Sequence, residues 1–180
     1  MFGTRAVACL MALATAATMA RPAVAATSEV SPTGFIVTLR YDVNATPHRV
    51  WESLGEVGKW WNSSHTWSGN AANLSLSTQA SGCYCERWGA NSAEHGRVVF
   101  AAEDSVLRLQ AALGPLQALA VNAVLTFAIT QKEGKTALLV TYRVSGNVSA
   151  ALQDLAGPVD GVIAEQARRL VAYAESGRPE

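Results

Sequence analysis

Apolar and polar residues alternate along "FIVTLRYDV" (35 to 43), which puts Phe35, Val37, Leu39, Tyr41 and Val43 on one face. A period of two predicts a half-buried strand. The period then changes. Thr46-Pro47 supplies a hydroxyl N-cap and a proline at the first helical position, and Val50, Leu54, Val57 and Trp61 follow at helical spacing. The stretch "PHRVWESLGEVGKWW" therefore reads as one kinked helix or two short ones, with Gly55 and Gly58 as break points. After a polar loop, "SSHTWSGNAA" (63 to 72), short alternating runs return at 73–77, 83–88, 95–102, 106–113, 121–130 and 136–146. Turn residues separate them, most clearly "QKEGK", so they predict an antiparallel meander. The pattern closes on a helix from about Ala150 to Glu175 with Leu152, Leu155, Val159, Ile163, Gln166, Leu170 and Tyr173 on one face, interrupted near Gly157-Pro158. The expected fold class is α+β: a curved antiparallel sheet wrapped around a long C-terminal helix, with two short helices after the first strand.

The N-terminus changes the picture of where this domain works. "MFGTRAVACLMALATAATMARPAVAA" carries an early positive charge, an apolar Ala/Leu/Met run and small residues at Ala23, Ala25 and Ala26. That order is the pattern of a cleaved export signal. Residues 1–26 are expected to leave, 27–34 to form a polar lead-in and 35–176 to fold as one domain, periplasmic or secreted. Of the 14 basic and 14 acidic residues, Arg5 and Arg21 lie in the leading segment, so the remainder is slightly acidic. Its charge is scattered, with no basic stripe of the kind a phosphate backbone demands. Nucleic acid is not an expected partner, nor is stable membrane insertion once the signal is gone, and the pattern names no protein partner.

Candidate chemistry is sparse. "SGCYCERW" (81 to 88) sets Cys83 and Cys85 two apart in a strand, where Cα atoms lie roughly 6.6 Å apart. A disulfide wants Cβ atoms about 3.8 Å apart, so a regular strand cannot close the bridge and a bulge is required. A metal set of both thiolates with His65 and His95 lacks the usual ligand spacing. The reading that asks least is two small buried apolar residues, with no metal and no cofactor. On the other face of that strand sit Tyr84, Glu86 and Trp88. Glu86, turned inward, must pair with Arg40, Arg97, Arg108 or a histidine, because an unpaired buried carboxylate is costly. His48, on a first helical turn, is expected in solvent, and so is His95, which opens a strand after a turn. His65, in the aromatic loop, is the remaining candidate. No catalytic residue follows from these patterns; the candidates are Glu86, His95 and His65.

Three stretches carry a resemblance: "VNATPHRVWESLGEVGKWW", "SGCYCERW…EHGRVVF" and "AVLTFAITQKEGKTALLVTYRVSG". Together with the element order over 35–175, they resemble the helix-grip superfamily labelled SRPBCC, which includes START lipid-transfer domains, the birch-pollen-allergen fold and polyketide cyclases. The nearer branch looks like the one named after the activator of the heat-shock protein 90 ATPase. The resemblance implies a cavity between sheet and terminal helix that holds a small hydrophobic or amphipathic molecule. Its expected lining is Trp60, Trp61 and Trp67 beside one lip, Leu116 in a second lip (113 to 119), and Tyr84, Trp88, Phe127, Val159 and Ile163 from the sheet and helix. Cyclases of the family use pocket polar groups for acid–base work, which makes an enzyme the alternative expectation. A protein-interaction module presenting the aromatic loop is the third. A co-chaperone role fits poorly with export, because that chaperone and its ATP are cytosolic; a fold does not carry its function with it.

Overall fold

The computed structural model describes residues 26–180. Of the expected signal segment, residues 1–25, with Cys9, lie outside the described residues, and its last residue, Ala26, begins the first strand. Eight strands form one antiparallel sheet: β1 (Ala26–Ser31), β2 (Gly34–Val43), β3 (Leu74–Leu76), β4 (Cys83–Trp88), β5 (Asn91–Ala102), β6 (Val106–Gln110), β7 (Asn122–Lys132) and β8 (Lys135–Ser145). Their order is β1-β2-β8-β7-β6-β5-β4-β3. The lead-in thus contributes to a strand of its own, pairing Thr27 with Val37 on β2. Three helices complete the fold: α1 (Pro47–Gly55), α2 (Val57–Trp60) and α3 (Leu152–Ser176).

Local chemistry accounts for these boundaries. The Thr46 hydroxyl accepts the Arg49 N–H at the start of α1, with Pro47 in the first turn. The helix stops at Glu56, between the two glycines that predict the break. A Cβ on Gly58 would lie 2.9 Å from the Ala71 carbonyl oxygen, so this glycine lets the following loop pack against α2. The helix α3 is continuous over 25 residues and runs through Pro158, where an interruption was expected.

Along β2, Phe35, Val37, Leu39 and Val43 are buried, as the alternation predicts. They face α3, whose Leu152, Ala156, Ile163, Ala167 and Leu170 are buried with them in one core. Strand β5 carries two register shifts: Tyr84 and Cys85 face Gly96 and Glu94, leaving His95 extra, and Val98 and Phe100 face Leu109 and Arg108, leaving Val99 extra. Bulges bend the strand that holds them and increase its twist. The two bulges of β5 therefore add to the bend that curves the sheet around α3.

Glu56 ties the helices together. It accepts from Lys59 Nζ (2.5 Å), Arg49 Nη1 (3.3 Å) and the Tyr173 hydroxyl on α3 (2.7 Å). The hydrogen bonds from Lys59 and Tyr173, with a smaller one from Arg49, overcome the effect of burial and hold its carboxyl at about 2, below the ordinary 4.5. A depressed carboxyl means that the unfolded chain binds the extra proton. The stabilisation is therefore complete above about 4.5 and is lost as pH falls toward about 2. Melting temperature measured in steps across that window is expected to fall, and Glu56→Gln to flatten this part of the curve.

Candidate functional site

A cavity of about 360 Å³ lies between the sheet and α3. Its roof is Leu155, Pro158, Val159, Val162 and Ile163; its walls are Trp61, His95 and Tyr142, the segment Ser64–Trp67 and the segment Leu113–Leu116. Its volume falls within the range that suits a small organic ligand. Ser64, His65, Trp67, Pro115 and Pro158 are the exposed members of the lining and mark where it meets solvent. None of the lining residues is Lys, Arg, Asp or Glu.

Each lip is anchored by a buried polar side chain from the sheet. Glu86 on β4 is fully buried. It accepts the Trp67 N–H at Oε2 (3.0 Å), the Ser68 N–H at Oε1 (2.6 Å) and His95 Nε2–H at Oε2 (2.8 Å). Burial alone would raise its carboxyl, but the hydrogen bonds from Ser68, Trp67 and His95 outweigh it and leave the carboxyl below its ordinary value. At the other lip, the Tyr142 hydroxyl donates to the Ala111 carbonyl (2.8 Å) and accepts the Leu113 N–H (3.1 Å). Burial raises this phenol far above its ordinary range, so it stays protonated. The first lip is also tied to α3: Asn62 N–H donates to Gln166 (2.8 Å), and His65 Nε2 lies 3.1 Å from Glu165.

His95 is buried, contrary to the expectation that it faces solvent. Strand β5 begins at Asn91, four residues before the predicted start, and the bulge places both His95 and Gly96 on the inner side. Gly96 is required there, since a Cβ would sit 2.5 Å from Ala111 Cβ. Because Glu86 is ionised and accepts from Nε2, the imidazole keeps its proton on that nitrogen. Tyr84 packs behind it, 5.0 Å between centroids, with its other side against the Trp61 edge at 5.7 Å.

Of the expected lining, Trp61, Trp67, Leu116, Val159 and Ile163 border the cavity, as do His65 and His95. Trp60, Tyr84, Trp88 and Phe127 do not. Trp60 is core, its indole N–H donating to the Ser53 carbonyl (2.7 Å). Tyr84 supports His95 from behind, Phe127 is buried in the inner face of β7, and Trp88 sits half-buried at the turn that ends β4. Glu86 anchors a lip with both oxygens engaged, so its role as a free acid or base is not supported. Sequence patterning gave no signal for Tyr142 or Val162, and placed Leu155 on the apolar face of the terminal helix without marking it as lining.

The cysteines also depart from expectation. Cys83 and Cys85 are joined to each other by a disulfide, with Cα atoms 5.4 Å apart. The strand is contracted relative to regular rise at the very place where β5 bulges, which is the condition the spacing argument required. With both sulfurs in that bond, neither joins His65 or His95 as a metal ligand. His48 is exposed, as expected, beside Asp104 (3.1 Å).

No protein-family model matches the sequence, and comparison with curated proteins finds no match. Solved structures do match. The Aha1 dimer from Colwellia psychrerythraea aligns with a TM-score of 0.58 at 15% identity, covering 79% of this chain and 97% of that one. CalU16 from Micromonospora echinospora aligns at 0.58 and 11% identity, covering 89% and 88%. The di-domain ARO/CYC StfQ from the steffimycin biosynthetic pathway aligns at 0.55 and 13% identity, covering 83% of this chain and 53% of that one. Similarity at these identities concerns the backbone alone, and with the curved sheet around α3 it gives the chain a helix-grip fold.

Proposed function

We propose that this protein is an exported binding protein that holds one small hydrophobic or amphipathic molecule between its sheet and α3. The observation that supports the reading is the cavity of about 360 Å³, lined mainly by Trp, Leu, Val, Ile and Pro and by no formally charged carboxylate, lysine or arginine. A ligand there gains by removing apolar surface from water, about 25 cal/mol per Å² buried. The absence of a lining cation disfavours ligands whose anionic head must be buried. The leading segment "MFGTRAVACLMALATAATMARPAVAA" supports export. On this reading the likeness to the Aha1 branch is one of ancestry rather than of task.

Native mass spectrometry of protein purified from the organism that makes it is expected to show a retained small apolar mass. The neutral probe N-phenyl-naphthylamine is expected to bind the emptied protein in one-to-one ratio. Absence of both would overturn the proposal.

A second reading, an acid–base enzyme of the cyclase type, is favoured by His95: a buried imidazole oriented by a carboxylate and bordering an apolar cavity. Under it, His95→Gln abolishes turnover while probe binding persists. Under the binding reading, that substitution alters affinity alone.

A further inference from the structure

The disulfide has a position that structural stapling does not explain. A bridge between residues two apart closes a very short loop, and cross-links gain little there. Cys85 is buried, whereas Cys83 is half-buried and reachable from solvent. The bridged turn of β4 holds its Cα atoms at 5.4 Å, over an ångström short of the roughly 6.6 Å of a regular strand. Directly across, one step of β4 (Tyr84 to Cys85) is matched by two steps of β5 (Gly96 to Glu94), and the surplus residue is His95. Between the two cysteines stands Tyr84, which packs on both His95 and Trp61. The bridge, the bulge and the cavity wall are therefore one connected unit.

We propose that Cys83–Cys85 is a thiol–disulfide exchange site for a dithiol reductant, and that its redox state sets whether the β5 bulge presents His95 to the cavity. A reductant thiolate attacks the accessible Cys83 sulfur, the bridge breaks, and Cys85 leaves as a thiolate that takes up a proton. The second thiolate of the reductant then attacks its own sulfur in the mixed disulfide and releases Cys83, which is protonated in turn. Two electrons pass to the bridge, and the reductant becomes a cyclic disulfide. Freed, β4 relaxes toward regular rise and can pair residue for residue with β5. A one-residue slip turns a side chain to the other face of a sheet, so His95 leaves the cavity wall. The coupling is reciprocal: a ligand that prefers the oxidised form resists its reduction by the same factor.

The test uses the full chain, oxidised or treated with dithiothreitol without denaturant, with thiols counted by alkylation and mass. His95 is followed by its imidazole NMR signals and the cavity by N-phenyl-naphthylamine. Reduction is expected to expose two thiols, to shift the His95 signals, and to weaken the probe by about fivefold or more. Saturating probe is expected to raise the dithiothreitol needed for half-reduction by the same factor. The double variant Cys83→Ser/Cys85→Ser is expected to match the reduced chain, and reduction of the parent gives the same readout should that variant not fold. A bridge that opens only where the chain unfolds overturns the exchange site. A bridge that opens with the His95 signals and probe affinity unchanged overturns the coupling. The coupling rests on the cavity reading only through the probe: if neither form binds probe, that counts against the binding proposal alone, and the His95 signals still decide the coupling.

Discussion

Trp61→Ala is expected to lower stability by about 3–5 kcal/mol, the range for deleting a large buried aromatic side chain. The residue is 7% exposed, and its neighbours have nothing to replace it with. Its ring lies 5.6 Å from that of Trp60 and meets Tyr84 edge-on, while its indole N–H donates to the His65 carbonyl (3.0 Å). Truncation therefore opens one wall of the cavity and frees the lip that carries His65 and Trp67. Chemical denaturation measures the first effect and probe titration the second. Trp61→Phe keeps an aromatic ring but loses the hydrogen bond and part of the bulk, so its cost is expected at about 1–2 kcal/mol. A loss below about 1 kcal/mol for the alanine variant, with unchanged probe affinity, would contradict this placement.

Glu86→Ala is the second large effect. It leaves His95 and the Trp67 and Ser68 amides without their acceptor inside the protein. Leaving a buried donor without its acceptor costs about 1–3 kcal/mol for each group, and three donors lose theirs here. The loss is expected to be localised as well as global: amide exchange at Trp67 and Ser68 rises more than at the core strands. Acid should reproduce it. The carboxyl is depressed in the folded state, so its contribution holds above the ordinary carboxylate value and disappears as pH falls through the folded one. Equal exchange in variant and parent at those two amides would show that the lip is held by something else.

The strands and the long helix were legible because burial imposes a period on the chain. Phe35, Val37 and Leu39 need only the rule that alternate side chains share a face. Glu86 was legible through cost: an inward carboxylate needs a donor, and a histidine is among the partners that rule allows. Positions that break the period were hidden. His95 lies inward because β5 holds a surplus residue, and no composition signal marks a bulge whose cause is pairing with a distant strand. The disulfide was hidden for the same reason, since regular rise forbids it and the contraction exists only in the paired sheet. Leu155 and Val159 lie on the predicted apolar face of α3 yet stay half-buried, because the surface opposite them is hollow. Tyr142 sits on an ordinary alternating strand, and its grip on the second lip follows from the fold alone.

Pro158 gives the roof of the cavity a particular character. It offers no N–H, so the carbonyl one turn back, at Asp154, goes without its helical bond, and Gly157 and Gly161 on either side add little rigidity of their own. The opening turns of α3 thus hold one backbone hydrogen bond fewer than the rest, and they contribute Leu155, Pro158 and Val159 to the roof. On the binding reading proposed above, a ligand would come and go by brief fraying of those turns, with the rest of the rod left seated on the sheet.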